Sequence, residues 1–421
     1  MATSDGAGVK HSAVPDVNLK ARGLPEPIVI ALVAGIVPVL YYTWNRAQAS
    51  ETSQPDLDEE ASSTPWWAFW FCLRIFRWIL QTAFGIASMM LVTLIVKQRS
   101  ILYVPTPQGT TRSPKDNPHG FESPDTWGLP FEDVTIKAED GTKLNAWFIY
   151  QPLAKCIQVP YTFVYFHGNA GNIGHRLENI SEMHNKLGVN VLIFDYRGYG
   201  DSEDGGGPCE SGFMQDAEAT YRWLVDRSKT PPMEAKTKIG LDRILLFGGS
   251  IGGSVATSLF AMLVRARLEL GPSNSLPLPA GIVIENSFTS LRDMAVTVFP
   301  FLGIFRPILR KPVLFDEWKS AENLVYVASH HTHWCICFFS GLQDQIVPPA
   351  QMQQLRNTLR GHSPKVLKYF TFKYGGHNDT PIRGGKEYWE SFCKFMDLVG
   401  SSEEERRRGI DAWDRGAGDG R

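Results

Sequence analysis

The chain has 421 residues, enough for two or three average domains, and 43% hydrophobic against 20% charged residues excludes global disorder. Lys and Arg total 42 against 44 Asp and Glu, a formal charge of -2, which excludes a nucleic-acid binder that relies on a basic surface. Six cysteines are too few for a disulfide scaffold.

In chain order, residues 1–26 read as a tail. Residues 27–44, P-I-V-I-A-L-V-A-G-I-V-P-V-L-Y-Y-T-W, carry no charge, end in interface aromatics and are expected to form a transmembrane helix kinked at Pro38. A cleavable secretory signal competes with that reading, because Lys20 and Arg22 precede the run and Ala47-Gln48-Ala49 supplies small residues. The length of such a leader and Pro38 favour an uncleaved segment. Residues 45–65 form an acidic loop. Residues 66–96 join a Trp- and Phe-rich stretch to the uncharged run 79–96, the stronger candidate span, although either run has the composition of a buried core helix too. Basic residues flank the pair: Lys10, Lys20 and Arg22 before, Lys97, Arg99, Arg112 and Lys115 after. Their placement favours a cytosolic location for both ends.

From about Tyr103 the pattern changes to short apolar runs alternating with amphipathic stretches, the pattern of an α/β protein with a mostly parallel sheet. Strands are predicted at 132–137, 143–150, 162–167, 190–195, 243–249, 281–285, 335–340 and 369–373. Helices are predicted at 174–187, 211–227, 251–267, 350–359 and 386–399. Residues 401–421 read as a flexible charged tail.

The chemistry concentrates in loops that follow predicted strands. Gly248-Gly249-Ser250-Ile251-Gly252 is a G-x-S-x-G run between a strand and a helix, where a nucleophilic serine protrudes at a tight turn and the helix N-terminus favours an oxyanion. Acyl transfer also needs an orienting carboxylate and a base, in that chain order for the matching strand arrangement. Asp344 follows the apolar strand C-I-C-F-F, and His377 follows Y-F-T-F-K. Ligands sit outside the carboxyl ends of parallel strands, so all three loops are expected at one sheet edge. Asp379 is an alternative acid, but two residues from His377 it reads better as a turn residue. Phe166-His167-Gly168-Asn169-Ala170-Gly171-Asn172 supplies a further strand-end loop, and the oxyanion amides are assigned to Ile251 and Asn169. His167 is expected to buttress that loop.

Together these motifs resemble an α/β-hydrolase. More narrowly, the chain resembles the membrane-anchored hydrolases of the bud-emergence-homologue type, near the group that includes protein depalmitoylases. The likeness spans residues 98–399 and rests on Q-R-S-I-L-Y-V-P, A-E-D-G-T-K-L-N-A-W, H-G-N-A-G-N, F-D-Y-R-G-Y-G-D-S-E, G-G-S-I-G-G, E-N-S-F-T-S, G-L-Q-D-Q-I-V-P-P and G-G-H-N-D-T. It implies an α/β-hydrolase domain over 97–400, an eight-stranded sheet with helices on both faces, and a short cap at 291–318. It also implies a catalytic triad of Ser250, Asp344 and His377, working without cofactor or metal. The implied activity is hydrolysis of an ester or thioester through an acyl-enzyme, on an acylated small molecule, a lipid or a lipidated protein, at a membrane. Depalmitoylases usually attach through a Cys-rich N-terminus, and only Cys72 lies near these spans. A serine peptidase of the same fold and a non-catalytic membrane scaffold are the alternatives.

Smaller features have plainer readings. His330, His331 and His333 lack a second ligand cluster and read as a loop. The run Asp204-Gly205-Gly206-Gly207-Pro208 reads as a turn, and Arg197 as a structural hydrogen-bond donor. Residues 296–305, V-T-V-F-P-F-L-G-I-F, are very apolar for a surface insertion: an acyl-chain groove, a membrane-facing lid, or a cap packed on its own domain.

Overall fold

A computed structural model describes residues 66–155, 158–231, 234–307, 309–311, 313–331 and 333–401. The first expected span at 27–44, the acidic loop and most of the charged tail lie outside the described residues. By its contacts the chain divides into Met1–Val92 and Thr93–Arg421.

Strands buried on both faces read as unbroken apolar runs, and the central strands here are of that kind. β3 (Thr162–Phe166), β4 (Asn190–Phe194), β5 (Ile244–Gly249), β6 (Gly281–Glu285) and β7 (Cys335–Gly341) are buried almost throughout. With β1 (Phe131–Lys137), β2 (Lys143–Ile149) and β8 (Val366–Phe372) they form one eight-stranded sheet in the order β1-β2-β4-β3-β5-β6-β7-β8. β2 runs antiparallel to both of its neighbours, β1 and β4, and β3 through β8 are mutually parallel. This is the α/β-hydrolase fold expected from the sequence.

Side-chain alternation along each strand divides the core into two layers. Leu246, Ile282, Ile336 and Phe338 face α3 (Glu210–Arg227), α4 (Ile251–Leu270), α6 (Ser320–His330) and α7 (Pro349–Thr358), through Phe213, Val255, Leu324 and Met352. Leu245, Phe247, Val283 and Phe339 face α2 (Leu177–Leu187) and α8 (Thr380–Gly400), through Ile180, Met183, Phe392 and Phe395. Truncating one such residue to Ala costs roughly 2–5 kcal/mol.

Several boundaries differ from expectation. α6 was not anticipated; its sequence S-A-E-N-L-V-Y-V-A-S-H is rich in poor helix formers, and tertiary contacts decide the matter. Leu324 and Val327 are buried, Ser320 Oγ donates to Ser254 Oγ at 2.8 Å, and Asn323 Nδ2 donates to Ser258 Oγ at 2.9 Å. His330 ends this helix, with its ring stacked on Tyr326. β8 begins at Val366, because Val366, Leu367 and Lys368 pair with Cys335, Ile336 and Cys337; the charge at Lys368 hides that start. The cap contains a helix, α5 (Leu291–Val298), whose N-terminus is closed by Ser290 Oγ accepting from Asp293 N–H at 3.1 Å.

Arg197 is buried, with its guanidinium bonded to Asp216 and Asp140, each at 2.7 Å. It ties the loop after β4 to α3 and to the β1–β2 turn.

The apolar run 79–96 falls inside α1 (Trp66–Leu102). Most side chains of its first turns are exposed, among them Trp66, Trp67, Trp70 and Trp78. Phe69–Met90 and Ile95–Leu102 together have the length and apolarity of a membrane crossing; α4 has them alone, but it is two-thirds buried and is the central core helix.

Candidate active site

Ser250 is the residue on which β5 turns into α4, at φ 54° and ψ −124°. A non-glycine residue pays in strain to sit there, and the surroundings hold it in place. Its N–H donates to Glu285 O at 2.9 Å, and its carbonyl accepts from Ser287 Oγ at 2.7 Å. The flanking glycines are required by close approach. A Cβ on Gly248 would lie 2.3 Å from Gly252 O, and one on Gly252 would lie 2.0 Å from Phe166 O. Gly249 has open space instead.

Asp344 follows β7 with its side chain almost fully buried. Its Oδ1 accepts from the N–H groups of Ile346 and Val347 at 2.9 and 2.8 Å, which leaves Oδ2 to receive His377 Nδ1 at 2.7 Å. That bond places the proton on Nδ1 and leaves Nε2 as the basic nitrogen. His377 and Ser250 line the same cavity, of about 360 Å³. Asp379 spends Oδ1 on Gly376 N–H at 2.6 Å and Oδ2 on Arg383, as a turn residue does.

The loop after β3 passes beside the serine. A Cβ on Gly168 would be 3.7 Å from that of Ser250, an ordinary contact, and Gly168 lines the cavity. Asn169 is pinned next to it: its amide donates to Leu102 O, and Tyr199 OH donates to Asn169 Oδ1 at 2.9 Å. Among the described residues, the main-chain N–H groups of Ile251 and Asn169 make no turn or loop hydrogen bond to another main-chain carbonyl. His167 is fully buried, with Nδ1 2.7 Å from Gly168 O and its ring 4.3 Å from that of Tyr196. Burial pushes its pKa down to about 3, which keeps the ring neutral.

A hydroxyl on a strained turn and an imidazole thus line one cavity at the carboxyl edge of the parallel strands, and the imidazole is bonded to a buried carboxylate. No family model matches the sequence. Full-length relatives do. The α/β-hydrolase domain-containing protein WAV2 of Arabidopsis thaliana is 32% identical over 320 residues, 74% of this chain and 92% of that protein. Protein bem46 of Schizosaccharomyces pombe is 31% identical over 74% of this chain and 91% of its own length. The chain belongs to the bem46-like α/β-hydrolase family. An uncharacterized membrane protein of Saccharomyces cerevisiae is 30% identical over 77% of this chain and 97% of its own length. Among solved structures, a Pyrococcus furiosus esterase aligns with 71% of this chain and 98% of its own at 16% identity and a TM-score of 0.49.

In this bem46-like chain, the first three residues of the E-N-S-F-T-S run, which the sequence offered only as part of the family likeness, have roles it did not assign. Asn286, at φ 45°, bridges the acid and base loops. Its Oδ1 accepts from Gly341 N–H at 2.8 Å, and its Nδ2 is shared among Gly376 O, His377 O and Thr380 Oγ1 at 2.9–3.1 Å. Ser287 holds the Ser250 carbonyl from the same segment. Glu285 lines the cavity and receives Tyr388 OH at 2.6 Å; burial raises its carboxyl to about 7, and the Tyr388 bond works in the opposite direction. The available signal was the polar run E-N-S-F-T-S, which begins on the last residue of a predicted strand.

The remaining cavity wall is mixed, with Arg176, Glu178 and Lys186 beside Trp127 and Trp389. Among the described residues, none of the cap at 291–318 lines this cavity, so the cavity beside Ser250 is not the cap groove considered from the sequence.

Proposed function

We propose that this chain is a membrane-bound serine hydrolase that cleaves an ester or thioester through an acyl-enzyme. The observation that carries the reading is the Asp344–His377 hydrogen bond, at 2.7 Å, formed on the rim of the cavity that holds the strained Ser250. In this mechanism His377 Nε2 takes the Ser250 proton as Oγ attacks the acyl carbon. Asp344 steadies the imidazolium, and the amides of Ile251 and Asn169 receive the oxyanion. Collapse of the tetrahedral intermediate expels the alcohol or thiol, which takes the proton from His377. Water, activated by the same imidazole, then releases the acid.

Membrane attachment is supported by the apolar composition of α1 and by the likeness to the Saccharomyces cerevisiae membrane protein. The basic residues flanking the candidate spans favour a cytosolic catalytic domain. Turnover of a p-nitrophenyl ester and of an acyl thioester by the full chain in detergent tests the activity. Ser250→Ala and His377→Ala should each lower kcat by about 10⁴-fold or more. Unchanged turnover in either variant would reject the assignment.

A further inference from the structure

The cap carries large apolar side chains outward. Val298, Phe299, Phe301 and Ile304 are 54, 51, 64 and 83% exposed. Single exposed apolar residues are ordinary, but a run of this size marks a surface that something covers. The same segment is cationic: Arg306, Arg310 and Lys311 are exposed, and no acidic residue falls between Asp293 and Asp316. Arg306 is tied to Asp293 at 2.7 Å, which leaves Arg310 and Lys311 as the outward charges. An apolar ridge beside basic residues is the chemistry of a bilayer interface, whereas the cores of protein interfaces are depleted in charged residues.

The base of the cap is fastened to the point where the chain enters this unit. Gln98 Nε2 donates to Val313 O at 3.0 Å, and its Oε1 accepts from Phe315 N–H at 2.9 Å. Arg99 pairs with Asp316 at 3.2 Å, and Tyr103 OH donates to the same carboxylate at 3.1 Å. Residues 98, 99 and 103 are therefore held against the base of the cap.

We propose that the exposed cap face made by Val298, Phe299, Phe301, Ile304, Arg310 and Lys311 is an interfacial docking surface for an anionic lipid leaflet. Val298, Phe299, Phe301 and Ile304 enter the headgroup boundary, and Arg310 and Lys311 meet the lipid phosphates. The proposal rests on the membrane-bound hydrolase reading and deepens it, because an acylated substrate then comes to Ser250 from the bilayer and not from water. It also gives the cap a role that its absence from the cavity wall does not.

The test uses the full chain in phosphatidylcholine vesicles with and without phosphatidylglycerol, with p-benzoylphenylalanine at position 301 or, as a control, at 241 on the opposite sheet edge. Lipid adduct at 301 should exceed that at 241 by about fivefold and increase with phosphatidylglycerol. Equal adducts at the two positions, or an adduct at 301 to a second copy of the chain or to another protein, would overturn the proposal. In a second arm, the double variant Phe301→Asp, Ile304→Asp should lower the ratio of rates on a vesicle-dissolved long-chain ester and a soluble short ester by about tenfold. An unchanged ratio contradicts it. If the wild-type chain hydrolyses neither ester the hydrolase reading fails, and if alkaline carbonate releases the chain the anchor fails; the adduct still judges the cap separately.

Discussion

Asn286 holds two loops with one side chain: the Gly341 N–H that leads to Asp344, and the carbonyls on either side of the His377 peptide. Replacing it with Gly keeps the positive φ available and removes only the bridge. Asn286→Gly should lower kcat by about 100-fold with KM less affected, because small misplacements of a base are costly. Steady-state kinetics on a short ester check this, and unchanged kcat would show that the bridge does not position His377. Glu285 has a different consequence. Its folded carboxyl titrates near 7 and its unfolded one near 4.5, so between those values the folded chain holds a proton that the unfolded chain has lost. The stability this contributes is complete below the lower value and is lost as pH rises through the upper one, on the order of 3 kcal/mol in all. Buried Asp195, also raised to about 7, acts in the same direction. Denaturant midpoints from pH 5 to 8 should therefore decline less steeply in Glu285→Gln than in wild type; parallel curves would contradict the assignment. Neither role was legible in the sequence. Asn286 requires a positive φ, and Glu285 requires a burial partner 103 positions away, Tyr388; both exist only once strands far apart in the chain are adjacent.

At the scale of elements, the turn from β5 into α4 is the most legible part of the molecule, since its glycine spacing reports the approach of β3 to the helix start. Gly252→Ala puts a Cβ 2.0 Å from Phe166 O, so the backbone must move. The variant should lose several kcal/mol of stability or fail to fold, whereas Gly249→Ala, with open space around its Cβ, should fold normally. Thermal melts of the two distinguish them, and equal loss in both would contradict the packing account. The central strands β3 to β7 were readable because double burial produces apolar runs, as in I-L-L-F-G-G and C-I-C-F-F-S-G. α6 was not, because Leu324 and Val327 gain their burial from α4, and polar bonds from Ser320 and Asn323 complete it.

Across the whole molecule, the parallel strands bring residues 250, 285, 344 and 377 to one edge, and that convergence converts separate motifs into a candidate site. Family membership fits this arrangement, with about 30% identity extending over nine-tenths of the lengths of WAV2 and bem46. The central claim is that Ser250 is the nucleophile. It is tested most directly by treating the full chain in native membranes with a fluorophosphonate and mapping the adduct by peptide mass spectrometry. A single stoichiometric adduct on Ser250, absent in Ser250→Ala and slowed by about 10³-fold or more in His377→Ala, is the expected result. An adduct on another residue, or equal labelling of wild type and Ser250→Ala, would contradict it.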